Sequence, residues 1–416
     1  MIVKEYVKEF EKLGFGMFVH YGIYSNLGAG EWVWESGGLT AEEKQAYFAS
    51  YVNFQPKKDW AKELVATAKN AGCKYITLTT RHHDGFSLFD TCGLNDFDAP
   101  HACGRDVVRE FVDACNEGGI VPFFYHTLLD WHEESFQTDF KKYLVYLRKS
   151  VELLCKNYGK IGGLWFDGMW SRPDDDWEED ALYATIRKYQ PNAMIINNTG
   201  LLARGALGHI ELDSVTFERG QPQPINMADS PKYIASEMCQ TMNEHWGYAA
   251  NDFCYKSLKS LIEDFCVCRR YGSNFLLNLG PMGDGSIRLI DKAILGEIGK
   301  WAKRNEEALY LPRPCEVAGT SKPEDFILKK DETYYLFCLN LPMALNPNVT
   351  IENSPDNYVD VFTLNKKIKS ISWLDEPSTQ LQFEQKANGE TTVYSTPYRY
   401  GMQLVARVAK IQVEEN

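Results

Sequence analysis

Apolar and polar positions follow two different rhythms along this chain. Over the first three quarters, short β-rich apolar runs end in polar residues, and amphipathic stretches follow them. The runs are Gly16–Val19, Tyr75–Thr80, Ile120–Tyr125, Ile161–Phe166, Ala193–Ile196, Ser214–Phe217, Glu237–Thr241 and Phe275–Leu279. Helical spacing is clearest over Lys58–Asn70, Asp106–Glu117, Asp139–Tyr158, Glu178–Tyr189 and Lys256–Tyr271. Glycines close several of these stretches, at Gly72, Gly118-Gly119 and Gly159. Eight strands alternating with helices predict an α/β fold, a (β/α)8-like TIM-type barrel. Helices are short or missing around runs five to seven, and Leu201–Lys232 reads as long loops. The barrel is therefore expected to be imperfect.

A long helix is expected over Ile287–Leu309, and Leu311-Pro312-Arg313-Pro314 then breaks the chain. Beyond the break the period changes to two, over Phe326–Leu328, Thr333–Leu339, Val359–Leu364, Ile368–Leu374, Thr391–Ser395 and Met402–Val413. That pattern predicts a β-sandwich. The expected division is a catalytic barrel domain over 1–311 and a C-terminal β-sandwich domain over 312–416.

Bulk properties narrow the function. The chain has 416 residues and a net charge of −13, which argues against nucleic acid or an anionic membrane as partner. Aromatic residues make up 13%, a supply of rings on which sugar C–H faces could stack. Charges interrupt every apolar stretch of the N-terminal sequence Met1-Ile2-Val3-Lys4-Glu5-Tyr6-Val7-Lys8, so no secretory h-region forms. Eleven scattered cysteines, an odd number, read as reduced thiols. Together these predict a cytoplasmic location, although a secreted form trimmed of its leader reads the same way.

In a barrel, chemistry sits at the C-terminal strand ends. Here those ends carry His20, His82-His83-Asp84, His126, Asp167, Asn197-Asn198, Glu218 and Asn243. Asp167 ends a buried run, and Trp165 shares its strand face. A carboxylate beside an aromatic platform suits attack on an anomeric carbon. His20, His82, His83, Tyr125 and His126 offer a polar, aromatic ring around the same mouth, with Trp246 as a further wall. A retaining glycosidase needs a second carboxyl about 5–5.5 Å from the first. Glu218 and Glu237 are the candidates, with Glu31 and Asp130 as outsiders. No Gly-x-Ser-x-Gly elbow and no P-loop occurs, and Gly280–Gly285 reads as a tight turn. Two other readings compete: a metal-dependent barrel hydrolase using the histidines, and a sugar-binding protein without catalysis. Adjacent strand residues point oppositely, which makes a metal shared by His82 and His83 awkward.

An ordered set of motifs resembles the α-L-fucosidases of glycoside hydrolase family twenty-nine. The segments are Phe15–Gly22, Glu31-Trp32, Tyr75–Phe86, Asp130-Trp131, Trp165–Gly168, Glu237–Cys239, Trp246–Tyr248 and Asn274–Pro281. The resemblance implies a retaining exo-α-L-fucosidase that removes terminal α-L-fucose from a fucosylated oligosaccharide or glycoconjugate by two-carboxylate double displacement, with no cofactor and no metal. It implies Asp167 as nucleophile, His20, His82 and His83 as sugar-binding histidines, and Trp165 as stacking ring. A third-strand contact falls at Tyr125 or His126. Glu31 and Trp32 take the first-loop contacts, and Trp246 walls the pocket. The acid/base falls on Glu218 in preference to Glu237. The arginine expected after the fifth strand is replaced by Thr199, with Arg204 nearest, and Thr-Pro-Glu at the sixth strand reads Thr216-Phe217-Glu218. Linkage, aglycone and oligomeric state stay open in the sequence.

Overall fold

The computed structural model describes residues 2–225, 230–317, 319–344, 358–399 and 405–414. Eight parallel strands close into a barrel in chain order: β1 (Phe15–Val19), β2 (Tyr75–Arg81), β3 (Val121–Thr127), β4 (Gly163–Asp167), β5 (Met194–Asn197), β6 (Ser214–Glu218), β7 (Ala235–Thr241) and β8 (Asn274–Leu279). β8 pairs with β1 and completes the ring.

Helices Trp60–Ala71, Val107–Gly118, Phe140–Asn157, Glu179–Tyr189 and Leu258–Arg270 follow strands where the apolar period predicts them. Three of these helices gain side-chain N-caps from Asp106, Asp139 and Ser257, each accepting an N–H three residues on. The expected imperfection is present. Only a short 3-10 turn, Thr199–Leu201, lies between β5 and β6, and no helix is described between β6 and β7.

Parity sets the barrel interior. One face of every strand but β6 contributes to a single buried cluster: Phe18, Tyr75, Phe123, Tyr125, Trp165, Met194, Ile196, Ala235, Cys239 and Leu276. The N-terminal helix Glu5–Leu13 adds Val7 and Phe10 from below, and Asn274 donates to the Phe10 carbonyl at 2.7 Å. That helix stops the foot of the barrel. Truncating Phe10 to alanine would cost about 3–5 kcal/mol.

The helix expected over Ile287–Leu309 is two: Leu289–Arg304 and Glu306–Leu309. Asn305 separates them, its side-chain amide donating to the Trp301 carbonyl at 2.9 Å in competition with the backbone. By packing, the chain forms two compact units, Met1–Lys256 with Ser273–Gly296, and Ser257–Gly272 with Glu297–Asn416.

The second unit carries the C-terminal β-sandwich, with strands β9 (Arg313–Pro314), β10 (Phe326–Lys330), β11 (Thr333–Cys338), β12 (Met343–Ala344), β13 (Tyr358–Thr363), β14 (Ile368–Trp373), β15 (Gln382–Gln385), β16 (Glu390–Ser395), β17 (Tyr398–Arg399) and β18 (Arg407–Val413). They form a five-stranded sheet, β14-β18-β11-β10-β9, a three-stranded sheet, β13-β16-β15, and the pair β12-β17. Leu336, Phe362, Ile371, Trp373, Val393 and Ile411 belong to its buried core. The start of the last expected strand, Met402, lies outside the described residues.

Candidate active site

The inward parity of the strands carries straight into the site. Two residues beyond Phe18 comes His20, beyond Trp165 comes Asp167, beyond Ile196 comes Asn198, and beyond Thr216 comes Glu218. All four line one cavity at the C-terminal strand ends, with Trp32, His82, His83, Tyr125, Trp165, Trp170 and Trp246 around them. A larger concavity near Tyr6, Phe123 and Met194 sits at the N-terminal strand ends, where barrels do not carry chemistry.

Asp167 and Glu218 face each other across Asn198. The Asn198 amide nitrogen is 3.3 Å from Oδ1 of Asp167 and 2.6 Å from Oε2 of Glu218. One amide group therefore bridges the two carboxyls. Thr216 donates its hydroxyl to Oδ1 of Asn198 at 3.1 Å and fixes which way the amide points.

The two carboxyls sit in opposite electrostatic settings. Burial pushes Asp167 upward, but His83, then Trp170 and Asn198, outweigh it and hold the acid below its usual range. Nε2 of His83 lies 3.5 Å from Oδ2, Trp170 donates its indole N–H to Oδ1 at 3.1 Å, and Tyr125 donates its hydroxyl to Oδ2 at 3.2 Å. Glu218 is pushed up to about 7, first by burial and then by the charge of Asp167. Near neutrality one carboxyl is ionised while the other still holds much of its proton.

Gly168 permits the turn that follows Asp167. Its φ is +103°, and a Cβ there would stand 2.8 Å from the Leu129 backbone nitrogen.

His82 and His83 lie just past the end of β2, after an irregularity between Thr79 and Arg81 in its pairing with β3. Strand alternation no longer applies to them, and both line the cavity with ring centroids 4.2 Å apart. His83 is committed at both nitrogens, with Nδ1 2.8 Å from the Thr127 hydroxyl. Nδ1 of His20 lies 2.7 Å from Oδ1 of Asn278. Nδ1 of His82 is buried with no partner among the described residues, a group that a ligand hydroxyl can satisfy. Burial drives the His20 pKa down to about 3 and that of His82 well below its usual value, so both rings are neutral donors and acceptors. Among the described residues, the one His/Cys/Asp/Glu group with metal-ligand spacing is Asp325, Cys338 and Asp360, in the sandwich unit.

Three expected residues stand outside the cavity wall. Glu237 pairs in register with Thr216, whereas Cys239 is level with Glu218, so Glu237 lies one layer deeper. There it accepts from the Tyr75 hydroxyl and from the Trp165 indole at 2.9 Å. Its pKa also rises to about 7, from burial alone among the raising causes. Geometry therefore separates the two glutamates where acidity does not. His126 follows the inward Tyr125 and has the opposite parity; it is fully buried beside Phe89, and Nδ1 lies 3.3 Å from the Thr80 hydroxyl. Glu31 is buried and accepts the Gly247 backbone N–H at 2.7 Å, which ties the loop bearing Trp246.

Trp170 and Leu201 line the cavity without having been singled out in the sequence. Trp170 lies in a short 3-10 turn, Met169–Ser171, and carries no periodic signal. Arg204 is directed elsewhere, donating to the Gln221 carbonyl at 2.5 Å. The cation beside the mouth is Arg219, in the left-handed region at φ 47° and 5.1 Å from the Trp246 ring centroid.

Comparison with known proteins agrees with this geometry. The family model described as Alpha-L-fucosidase matches residues 3–307. Tissue alpha-L-fucosidase of Mus musculus is 28% identical over 403 residues, covering 88% of this chain and 85% of the mouse protein. Plasma alpha-L-fucosidase of Rattus norvegicus is 26% identical over 360 residues, covering 76% and 74%. The structure of alpha-L-fucosidase isoenzyme 1 from Paenibacillus thiaminolyticus superposes with a TM-score of 0.80 at 26% identity, covering 99% of both chains. These relatives overturn the expected cytoplasmic location, since a plasma protein works outside the cytoplasm. Most of the cysteines are buried, and a buried unpaired thiol packs as a small apolar group in either compartment, so their number carries no compartment signal.

Proposed function

Because the chain belongs to the alpha-L-fucosidase family and is a glycoside hydrolase, we propose that it removes terminal α-L-fucose from fucosylated glycans with retention, Asp167 acting as nucleophile and Glu218 as acid/base. The observation that carries this reading is the single amide of Asn198 touching both carboxylates, whose acidities are shifted in opposite directions. An ionised Asp167 attacks the anomeric carbon while protonated Glu218 delivers its proton to the departing oxygen.

The glycosyl-enzyme then changes Glu218. Once Asp167 is esterified its negative charge is gone, and with it the second cause of the raised Glu218 pKa. The pKa of Glu218 falls, and the carboxylate can take a proton from the attacking water. His20, His82, Trp165 and Trp246 are the proposed sugar contacts, with His83 positioning Asp167. Glu237 holds Trp165 from beneath. For the chain-level division we place the boundary between barrel domain (1–311) and sandwich domain (312–416) at the Pro312–Pro314 break.

Proton NMR of an aryl α-L-fucoside during hydrolysis tests the reading. The α-anomer of free fucose should appear first, with the β-anomer growing in only by mutarotation. First appearance of the β-anomer would reject double displacement.

A further inference from the structure

Outside the sugar pocket runs a second concavity, lined by Trp32, Trp34, Trp131 and Trp170. Trp32 and Trp170 line both spaces, so the two adjoin. The rings form a connected shelf: Trp32 stacks on Trp170 at 5.8 Å, Trp32 meets Trp131 edge-on at 5.2 Å, and Trp34 stacks on Trp131 at 5.4 Å. All four indoles are only partly buried. Partly exposed tryptophans crowded on one wall are costly to leave in water unless something covers them. The groove measures about 670 Å³, room for several rings.

The chemistry of the rim narrows the occupant. Glu35, Asp174 and Asp175 are exposed along it. Arg172 is a lining cation, but it is held by Asp175, by the Phe136 carbonyl at 2.8 Å and over the Phe140 ring. Asp175 is matched by Arg172, and Glu35 by Lys44 at 4.0 Å, so Asp174 is the surplus charge of the rim, and a carboxylated or sulfated ligand meets net repulsion there.

Resting on the retaining-fucosidase reading above, we infer that this tryptophan groove is the leaving-group subsite and takes the neutral sugar rings of an oligosaccharide aglycone. Each pyranose offers an apolar C–H face to an indole and hydroxyls to the acidic rim. Trp170 links the groove to the chemistry, since its N–H also holds Asp167. Binding energy gained by the remote rings can then be used at the reacting bond.

The test compares two substrates that differ only in leaving group. α-L-Fucosyl fluoride has no rings to place in the groove; a neutral fucosylated trisaccharide does. Trp34→Ala should lower kcat/KM for the trisaccharide about tenfold and leave the fluoride within about twofold. Equal effects on both substrates, or none on the trisaccharide, would overturn the subsite. Asp174→Asn, an exposed change that leaves the fold intact, should raise turnover of a carboxylated trisaccharide about threefold relative to the neutral one. An unchanged ratio would remove the charge argument and the neutral assignment with it. Wild-type protein inert toward fucosyl fluoride would sink the underlying fucosidase mechanism, an outcome distinct from active enzyme with an indifferent groove.

Discussion

The indole N–H of Trp165 donates to Oε1 of Glu237 at 2.9 Å, so a ring on the pocket wall is pinned by a carboxyl one layer below it. Glu237 is buried and also accepts from the Tyr75 hydroxyl. Glu237→Gln should keep most activity, within about tenfold, because an amide oxygen can still accept. Glu237→Leu strands two buried donors and should cost about 2–5 kcal/mol of stability by denaturant unfolding. A loss of many orders of magnitude in the glutamine variant, with the fold intact, would return the acid/base role to Glu237.

Glu218→Ala should spare activated aryl fucosides in the first step and cripple substrates with poor leaving groups, which need protonation on departure. Deglycosylation should stall for want of a base. Azide needs no base, so it should restore turnover and yield an α-fucosyl azide. Product analysis of Glu218→Ala beside Glu237→Gln decides: azide rescue in the second variant and not the first would reverse the assignment.

The pH profile follows from the same pair. Asp167 must be ionised and Glu218 protonated, so kcat/KM should fall as pH rises through about 7 and should hold on the acid side below the usual carboxylate range. Glu218→Gln should abolish the limb near 7, measured on an activated substrate. Persistence of that limb would assign it to Glu237. Stability gives an independent check. A folded-state pKa raised above 4.5 means that the native state binds the extra proton, so wild-type stability falls between pH 4.5 and about 7. The Tm of Glu237→Gln should therefore improve relative to wild type as pH rises across that window.

Asp167→Gly should lower turnover at least about a thousandfold, since covalent attack is lost while binding groups remain. Mass spectrometry after a 2-fluoro-fucosyl inactivator should find the label on the peptide that contains Asp167. A label on Glu218 would exchange the two roles.

The barrel was legible in the sequence because eight apolar runs alternate with helical stretches, and much of the candidate site because side chains alternate along each strand. His20 and Asp167 each sit two positions past an inward aromatic residue, Phe18 and Trp165, and Glu218 sits two past the inward Thr216. The same rule, applied to Tyr125, would have turned His126 outward. It says nothing of depth. Whether Glu237 or Cys239 stands level with Glu218 is set by the β6–β7 register, which no local pattern encodes. Trp170 owes its place to a single turn after Gly168. In the sandwich, β15 reads Gln382-Phe383-Glu384-Gln385, exposed on one face and half-buried on the other, and its lone apolar residue, Phe383, is too little to mark a strand.

Of the ten tryptophans in the chain, Trp32, Trp34, Trp131, Trp165, Trp170 and Trp246 gather at one mouth. Their separations bring several of the indoles into electronic contact, Trp34 with Trp131 and Trp32 with Trp170 among them. The molecule thereby carries an optical reporter built from its own side chains. Saccharide binding should shift the emission maximum and the near-ultraviolet dichroism without any dye, and the excitation-coupled groove pairs should respond to the leaving group while Trp165 responds to the sugar. Stopped-flow fluorescence on the unmodified enzyme can then time the two occupancies separately.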